Sequence, residues 1–463
     1  MVFLGVQGVL PPRNLQETCF QNGPQRDDIL DSDAENSPMS ESRVVIIGGG
    51  FAGLHAARAL TATGHEVTII DRHAYTTFQP LLYQVASGGL NPGDVTYSLR
   101  RWASNDSSHL ASFRRATVTG IDFDNKQVIV SRGKPVSYDK LVITAGVGAN
   151  YFGIPGAAEN TKLIYTRGQA LEVRDIIFTG LELMAAQGDP NKRFTAVVVG
   201  GGPTGVETAG ALAEMKTQAL PVLYPETTVD TFHVVLVEMS DRLLSPFDRR
   251  LQRYTHRELS RIGVDVRLNT AVKEVFPDHV ELADGGTLDS DIVIWASGVA
   301  AHRAVSDWGL PQGRGGRVLV DNTQQVIGRP GVYAAGDVCL CEENPVPQLA
   351  QPAIQQGQLV ARNIINAEKA LPLEEFSYID KGTMATIGRN AAVVQLPNGI
   401  KLTGFAAWAM WVAVHLMTLL GGRNRITAMI NMLVRYFAWP KSAAGIIGDF
   451  ADSPATLAAR EDD

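Results

Sequence analysis

The chain has 463 residues and a net charge of −7, with 45% hydrophobic and 19% charged residues. That length suits roughly two to four domains with a sizeable core, and the acidic balance gives no case for nucleic-acid binding. Its three cysteines, Cys19, Cys339 and Cys341, are too few for a disulfide framework, so a reducing compartment is the default.

Residues 1–42 read as a disordered leader. Met1–Leu10 is apolar but lacks a basic start and runs into Pro11-Pro12-Arg13, a poor secretory signal. Asp27–Glu41 is acidic and serine-rich, with little to bury. Met39 stands just before the first convincing strand and is an alternative start.

Arg43-Val44-Val45-Ile46-Ile47 has the pattern of a buried parallel strand. It runs into Gly48-Gly49-Gly50-Phe51-Ala52-Gly53 and then a helical stretch through Leu60. A second strand, Glu66–Ile70, ends on Asp71, with Arg72 behind it. Strand, G-x-G-x-x-G, helix and a following acid make a dinucleotide fingerprint. Gly48, Gly50 and Gly53 permit a tight turn and close approach of a pyrophosphate to the helix N-terminus. Asp71 is then placed to accept from ribose hydroxyls, with Arg72 counted among the binding residues.

The pattern recurs. Phe194–Val199 leads into Gly200-Gly201-Gly202-Pro203-Thr204-Gly205 and a helix through Met215, and the strand Phe232–Val237 ends on Glu238. The excursion Thr217–Thr231 lengthens the spacing to this acid, which blurs its assignment. A carboxylate at Glu238 favours a free 2′-hydroxyl, and hence NADH over NADPH. Two openings, at Gly200, Gly202, Gly205 and at Gly48, suggest two dinucleotides, one held and one exchanged. Glu207, just beyond Gly205, either enjoys the positive end of its helix or faces the junction between the nucleotides.

Cys339 and Cys341 form a C-x-C pair with no matching pair and no nearby histidine, so no metal site is expected. In the tail, Lys401–Lys441 holds five basic residues (Lys401, Arg423, Arg425, Arg435, Lys441), no acid, and Trp408, Trp411 and Trp439. Phe405–Leu420 is nearly all apolar but shorter than the roughly 20 residues that span a bilayer. Ile426, Met429, Ile430, Leu433, Val434 and Phe437 recur at helical spacing, with Asn431 and Arg435 off the stripe. Such helices suit a membrane interface with anionic lipids; a buried helical pair or a dimer face is the alternative. His415 by itself reads as a packed or interfacial residue rather than a ligand.

Several stretches carry a family resemblance. Tyr138–Gly146, with Ala145 and Gly146 at its end, looks like the strand that closes the first nucleotide half of two-dinucleotide flavoproteins. Asp291–Val299, with Ser297 and Gly298, is its counterpart, and Gly331–Asp337 resembles the second FAD motif, with Gly336 and Asp337 toward the ribityl chain. Phe78-Gln79-Pro80-Leu81-Leu82-Tyr83-Gln84-Val85-Ala86 and Leu349–Gly357 resemble signatures of the type II NADH dehydrogenases. The resemblance runs from about Arg43 into the tail, with two departures: Asp71 where glutamate is commoner, and the excursion before Glu238. No C-x-x-x-x-C pair follows the first helix, and no cysteine lies between Cys19 and Cys339, which argues against disulfide reductases and sulfide:quinone oxidoreductases.

The resemblance implies an α/β fold of two Rossmann-like dinucleotide-binding domains, for FAD and NADH, with a C-terminal helical membrane-associating segment. The expected layout is 43–160 for the first part of the FAD domain, 161–329 for the NADH domain, 330–375 for the second FAD part, and 376–463 for a tail with anchoring helices at 401–441. It implies non-covalent FAD, hydride transfer from NADH, and electron delivery to a quinone, menaquinone or ubiquinone. Gln351 and Gln355 are expected to bound the quinone pocket, with Gln351 also covering the flavin; Glu207 is a proton-handling candidate and Lys401 a candidate for the headgroup entrance. The expected site is peripheral on the cytoplasmic face of the cell membrane, with homodimerisation open. No long charged path through a membrane is visible, which argues against proton pumping. A soluble NADH reductase feeding a protein partner and a non-catalytic FAD/NADH redox sensor are the other functional classes.

Overall fold

A computed structural model describes residues 42–187, 192–225 and 229–442. The leader and Cys19 lie outside these residues, as do the side chains of Leu433, Val434, Arg435, Phe437, Trp439 and Lys441.

Strand β1 (Val44–Ile47) is apolar throughout and fully buried, because both faces of a parallel sheet are covered. Helix α1 (Phe51–Thr61) crosses back to β2 (Val67–Asp71), and β3 (Ala111–Arg115) and β4 (Lys140–Ile143) follow. β1 lies between β2 and β4 in parallel register, Val44 opposite Val67 and Lys140. A short strand, β5 (Val147–Ala149), then leaves this sheet, and helix α2 (Arg167–Gln187) enters the second half.

The second half repeats the plan. Strand β6 (Phe194–Val199), helix α3 (Pro203–Gln218), β7 (Phe232–Val237), helix α4 (Arg249–Arg261), β8 (Val264–Arg267) and β9 (Ile292–Trp295) form a parallel sheet in the order β8-β7-β6-β9. β10 (Val299–Ala301) pairs antiparallel with β5, joining the two halves. β11 (Val332–Ala334) then returns beside β4, giving a first sheet of order β11-β4-β1-β2-β3. Val305, Trp308, Val318, Val320 and Val326 share one core cluster with Val45, Ile47 and Leu141 of the first sheet. The NADH-domain boundary expected at 329 therefore falls earlier in the packing, before Val305, since buried apolar contact decides which unit a segment joins.

Helix α5 (Ala350–Glu368) lies on α1 so closely that a Cβ on Gly357 would come within 2.3 Å of the Ala52 carbonyl oxygen. A small antiparallel sheet follows, β12 (Thr383–Gly388), β13 (Ala391–Gln395) and β14 (Lys401–Thr403). It sits directly on α3, where a Cβ on Gly210 would meet the Ile387 oxygen at 1.9 Å. Helices α6 (Gly404–Thr418) and α7 (Gly422–Ser442) complete the described chain. α6 buries Ala407 and Trp411 against the body and exposes Phe405, Val414 and Met417. Trp411 is thus a core residue rather than the interfacial tryptophan expected. α7 is held by Asn424 Nδ2 donating to the Thr96 oxygen and by Asn431 bonding to Asp94.

Candidate functional site: two matching nucleotide cradles and a carboxyl-lined cavity

Each glycine of the first fingerprint has a separate physical reason. Gly48 has φ 107°, and a Cβ on it would lie 2.3 Å from the Thr144 oxygen. A Cβ on Gly53 would lie 2.1 Å from the Gly48 oxygen, so the turn closes only without one. Gly50, the N-cap of α1, faces open space with nothing within 4 Å of a built Cβ. That opening at a helix N-terminus fits a pyrophosphate. Asp71 Oδ2 accepts from the Gly49 nitrogen at 2.8 Å and Oδ1 from the His73 nitrogen at 2.7 Å. Ala145 backs the Gly48 turn, while Gly146 opens onto free space. Arg72 is exposed, with its carbonyl accepting from Arg115 Nε.

The second cradle is built alike. Gly200 has φ 115° and sits against the Ala296 oxygen and the Ser297 Cβ, at 2.8 and 3.0 Å from a built Cβ. Gly205 closes on the Gly200 oxygen at 1.8 Å, and Gly202 again faces open space. Glu238 Oε2 accepts from the Gly201 nitrogen at 2.5 Å and Oε1 from the Ser240 nitrogen at 2.7 Å. The long excursion before Glu238 proves harmless, because β7 pairs with β6 in register, Val237 opposite Val199.

Asp337 follows β11, and burial pushes its carboxyl up to about 6, against the opposing Arg317 guanidinium. Gly336 donates its N–H to Gln356 Oε1 at 2.8 Å. Gln356, buried on α5, was not singled out by sequence; its only signal was the glutamine-rich helix start. Burial also pushes the Cys339 thiol up to about 12, so it stays protonated and a poor nucleophile.

Glu207 stands one turn into α3, past the first turn, so proximity to the helix end does not dominate its chemistry. Burial raises its carboxyl to about 8, opposed by the Thr386 N–H, which donates to Oε1 at 3.2 Å, and by the nearby Trp411 indole. The carboxyl lines a cavity with Tyr83, Gln84, Thr386, Trp408, Trp411 and Met432 of α7. Tyr83 Oη and Thr386 Oγ1 share a 2.7 Å hydrogen bond in its wall. Among the described residues Gln84 Oε1 is buried without a hydrogen-bond partner, and Trp411 Nε1, buried beside the Glu207 carboxyl, makes no well-aligned bond. Buried polar atoms are seldom left so, and this donor and acceptor suit a ligand carrying both kinds of oxygen. Phe78 meets both Phe51 and His415 edge-on, and His415 stacks on Trp411 at 4.0 Å, so an aromatic line runs from the first cradle to α6. Burial lowers His415 to about 4; it is a neutral, packed residue.

Two expected assignments move. Gln355 Nε2 donates to the Ile379 oxygen at 2.9 Å and its Oε1 accepts the Ile379 N–H at 3.0 Å, so its amide is spent on backbone. Gln351 is half-buried in the first turn of α5, and neither glutamine lines the Glu207 cavity. Lys401 is tied by a 2.7 Å ion pair to Asp248, the N-cap of α4, rather than standing at an entrance.

Residues 42–357 match the pyridine nucleotide-disulphide oxidoreductase family, and residues 381–438 match the NDH2 C-terminal domain. The type II NADH:quinone oxidoreductase Ndh of Mycobacterium tuberculosis is 33% identical over 87% of this chain and 89% of its own length. The internal alternative NAD(P)H-ubiquinone oxidoreductase A1 of Arabidopsis thaliana is 32% identical over 89% and 87%. In fold, the Plasmodium falciparum NDH2 solved in complex with NADH superposes with a TM-score of 0.80 at 20% identity, covering 87% of this chain and 99% of that one. The sulfide:quinone oxidoreductase of Aquifex aeolicus shares the fold at a TM-score of 0.68. Two like cradles, a tail sheet seated on the second of them, and these relationships place the chain in the type II NADH:quinone oxidoreductase family.

Proposed function

We propose that the protein oxidises NADH and reduces a membrane quinone, with FAD held in the cradle of Gly48, Gly50 and Gly53 and NADH exchanged at Gly200, Gly202 and Gly205. Bound FAD supplies the two-electron relay between nicotinamide and quinone. The protein contributes orientation and protons. Asp71 and Glu238 would hold the ribose ends of the two dinucleotides, and Asp337 would hold the ribityl chain of FAD. Ala145, Gly146, Ser297 and Gly298 frame the two cradles where their strands end.

The observation that carries the quinone half is the cavity between α3 and α6. A quinone takes up two protons with its two electrons, and an acid of pKa about 8 keeps its proton at neutral pH. Glu207 is the proton-handling group, Trp411 Nε1 the donor to a quinone oxygen, and Gln84 Oε1 the acceptor from the quinol. Gln351, in the first turn of α5, would cover the flavin. Menaquinone and ubiquinone both meet this chemistry.

Membrane contact is assigned to the exposed apolar residues Phe405, Val414, Met417, Ile426, Met429 and Ile430 with Arg423 and Arg425 beside them. No helix among the described residues is long and apolar enough to cross a membrane, and the pair is assigned to lie in the membrane interface, on the cytoplasmic face by the family resemblance. A second copy of the chain is the competing occupant of this face.

Steady-state NADH oxidation by the holoenzyme, with and without a short-chain quinone, tests the reading. Quinone-dependent turnover supports it. Turnover only with a protein acceptor, or NADH binding without turnover, replaces it with the reductase or sensor class.

A further inference from the structure

Phe152 combines features that a relaxed surface loop would not keep. Its φ is 54°, the left-handed region that bulky side chains avoid, and its ring is 61% exposed. Neighbouring bonds hold the strain in place. Asn150 Oδ1 accepts from the Phe152 nitrogen at 2.9 Å, and the Asn150 oxygen accepts from Trp295 Nε1 at 3.0 Å. Tyr151 packs on the Trp295 ring at 5.7 Å. The turn is therefore pinned to the end of β9, in the second sheet.

This conformation aims the ring at one place. Its tip abuts Gly298, where a Cβ would lie 2.3 Å from Phe152 Cζ. Gly298 follows Ser297, which itself lies against Gly200, the first glycine of the second cradle. On the other side, Tyr165 Oη is 3.5 Å from the Gly298 oxygen, and its phenol feels the charge of Asp337 in the first half. The exposed ring thus stands beside the Ser297–Gly298 turn that backs the second cradle, a turn that Tyr165 links to Asp337 of the first half. Backbone strain of this kind persists where surrounding structure over-determines it, typically at ligand clamps, and an aromatic face gains by covering a flat, partly apolar ligand.

We propose that Phe152 is a positioning residue for NADH: its ring walls the space beside Gly298, packs against the nicotinamide-ribose end of the dinucleotide, and keeps water from it. This rests on reading Gly200–Gly205 as the NADH cradle.

The test uses FAD-loaded protein and two variants. Phe152→Asn removes the ring while suiting the left-handed backbone, and Phe152→Tyr keeps the ring. With Asn, the KM for NADH and the Kd for NAD+ rise at least about tenfold, while kcat with a short-chain quinone at saturating NADH stays within about threefold. FAD content and Tm hold or improve, because strain is released. Phe152→Tyr restores the affinity. Gly298→Ala, which drives a methyl into the ring tip, weakens NAD+ binding in the wild-type background far more than in Phe152→Asn. An unchanged NAD+ Kd in Phe152→Asn overturns the role of Phe152 and leaves the cradle standing; a wild-type holoenzyme that binds no NAD+ overturns both.

Discussion

Glu238 accepts the Gly201 N–H at 2.5 Å, as Asp71 accepts the Gly49 N–H at 2.8 Å. Both acids end the second strand of a parallel pair and hold the residue between the first two glycines of their cradles. The internal bond fixes each carboxylate at the rim where an adenosine ribose is expected.

From this position, Glu238 should meet an added 2′-phosphate with like charge. NADH is expected to exceed NADPH in kcat/KM by at least about tenfold, equivalent to about 1.4 kcal/mol. Glu238→Gln should narrow that ratio while keeping a side chain that still accepts from Gly201. An unaltered ratio would place ribose reading elsewhere.

The two kinds of fingerprint glycine should part company on mutation. Gly53→Ala puts a methyl 2.1 Å from the Gly48 oxygen, so soluble yield is expected to collapse. Gly50→Ala adds its methyl to open space, so the chain should fold with a near-native Tm and retain little flavin. Acid precipitation of wild-type protein should release all its flavin, since the proposed cradle would hold it by backbone and carboxylate contacts alone. Flavin left on the precipitate would contradict this.

Glu207 holds its proton up to about pH 8. Quinone reduction should fall as pH rises through that value, and Glu207→Gln should be slower and lack this limb. The stability sign is opposite to the usual carboxylate case. The folded group binds its proton more tightly than the unfolded one, whose reference is 4.5, so stability declines as pH rises from about 4.5 towards 8. Thermal melts across that window should show a smaller decline in the Gln variant.

Gln351 and Gln355 should behave differently despite their shared segment. Gln355→Ala frees the Ile379 backbone and should cost about 1–2 kcal/mol of stability, seen as a lower Tm. Gln351→Ala should leave Tm near wild type and, because Gln351 lies outside the Glu207 cavity and is assigned to the flavin, slow flavin reduction by NADH and quinone reduction alike in stopped flow. Slowing of quinone reduction alone would move Gln351 to the quinone side.

Deleting the tail after Asn398 would tear out β14 and the buried Trp411, so it tests folding rather than anchoring. Met417→Glu with Ile430→Glu instead charges two exposed positions, 73% and 49% accessible. Flotation with anionic liposomes should be lost while FAD content and activity with a soluble acceptor persist. High salt should release the wild type only partly, because apolar insertion is not screened. Undiminished flotation of the double variant would move the membrane face elsewhere.

Sequence by itself determined both cradles, because binding a pyrophosphate with backbone needs a strand, three spaced glycines and a helix within a few consecutive residues. Gly48–Gly53, Gly200–Gly205 and the strand-end acids Asp71 and Glu238 are local in this sense, and the tail's basic, apolar character is compositional. Tertiary structure decided what depends on distant partners. Glu207 gains its high pKa from burial and bonds to Thr386, 179 residues away. Lys401 spends its charge on Asp248, and Gln355 its amide on Ile379. Trp411 looks like any other aromatic of an apolar helix until its packing is known, and the segment from Val305 to Val326 joins the first core only through non-local contacts. Desolvation and hydrogen-bond pairing are set by neighbours in space, and a strand-by-strand reading of the chain does not contain them.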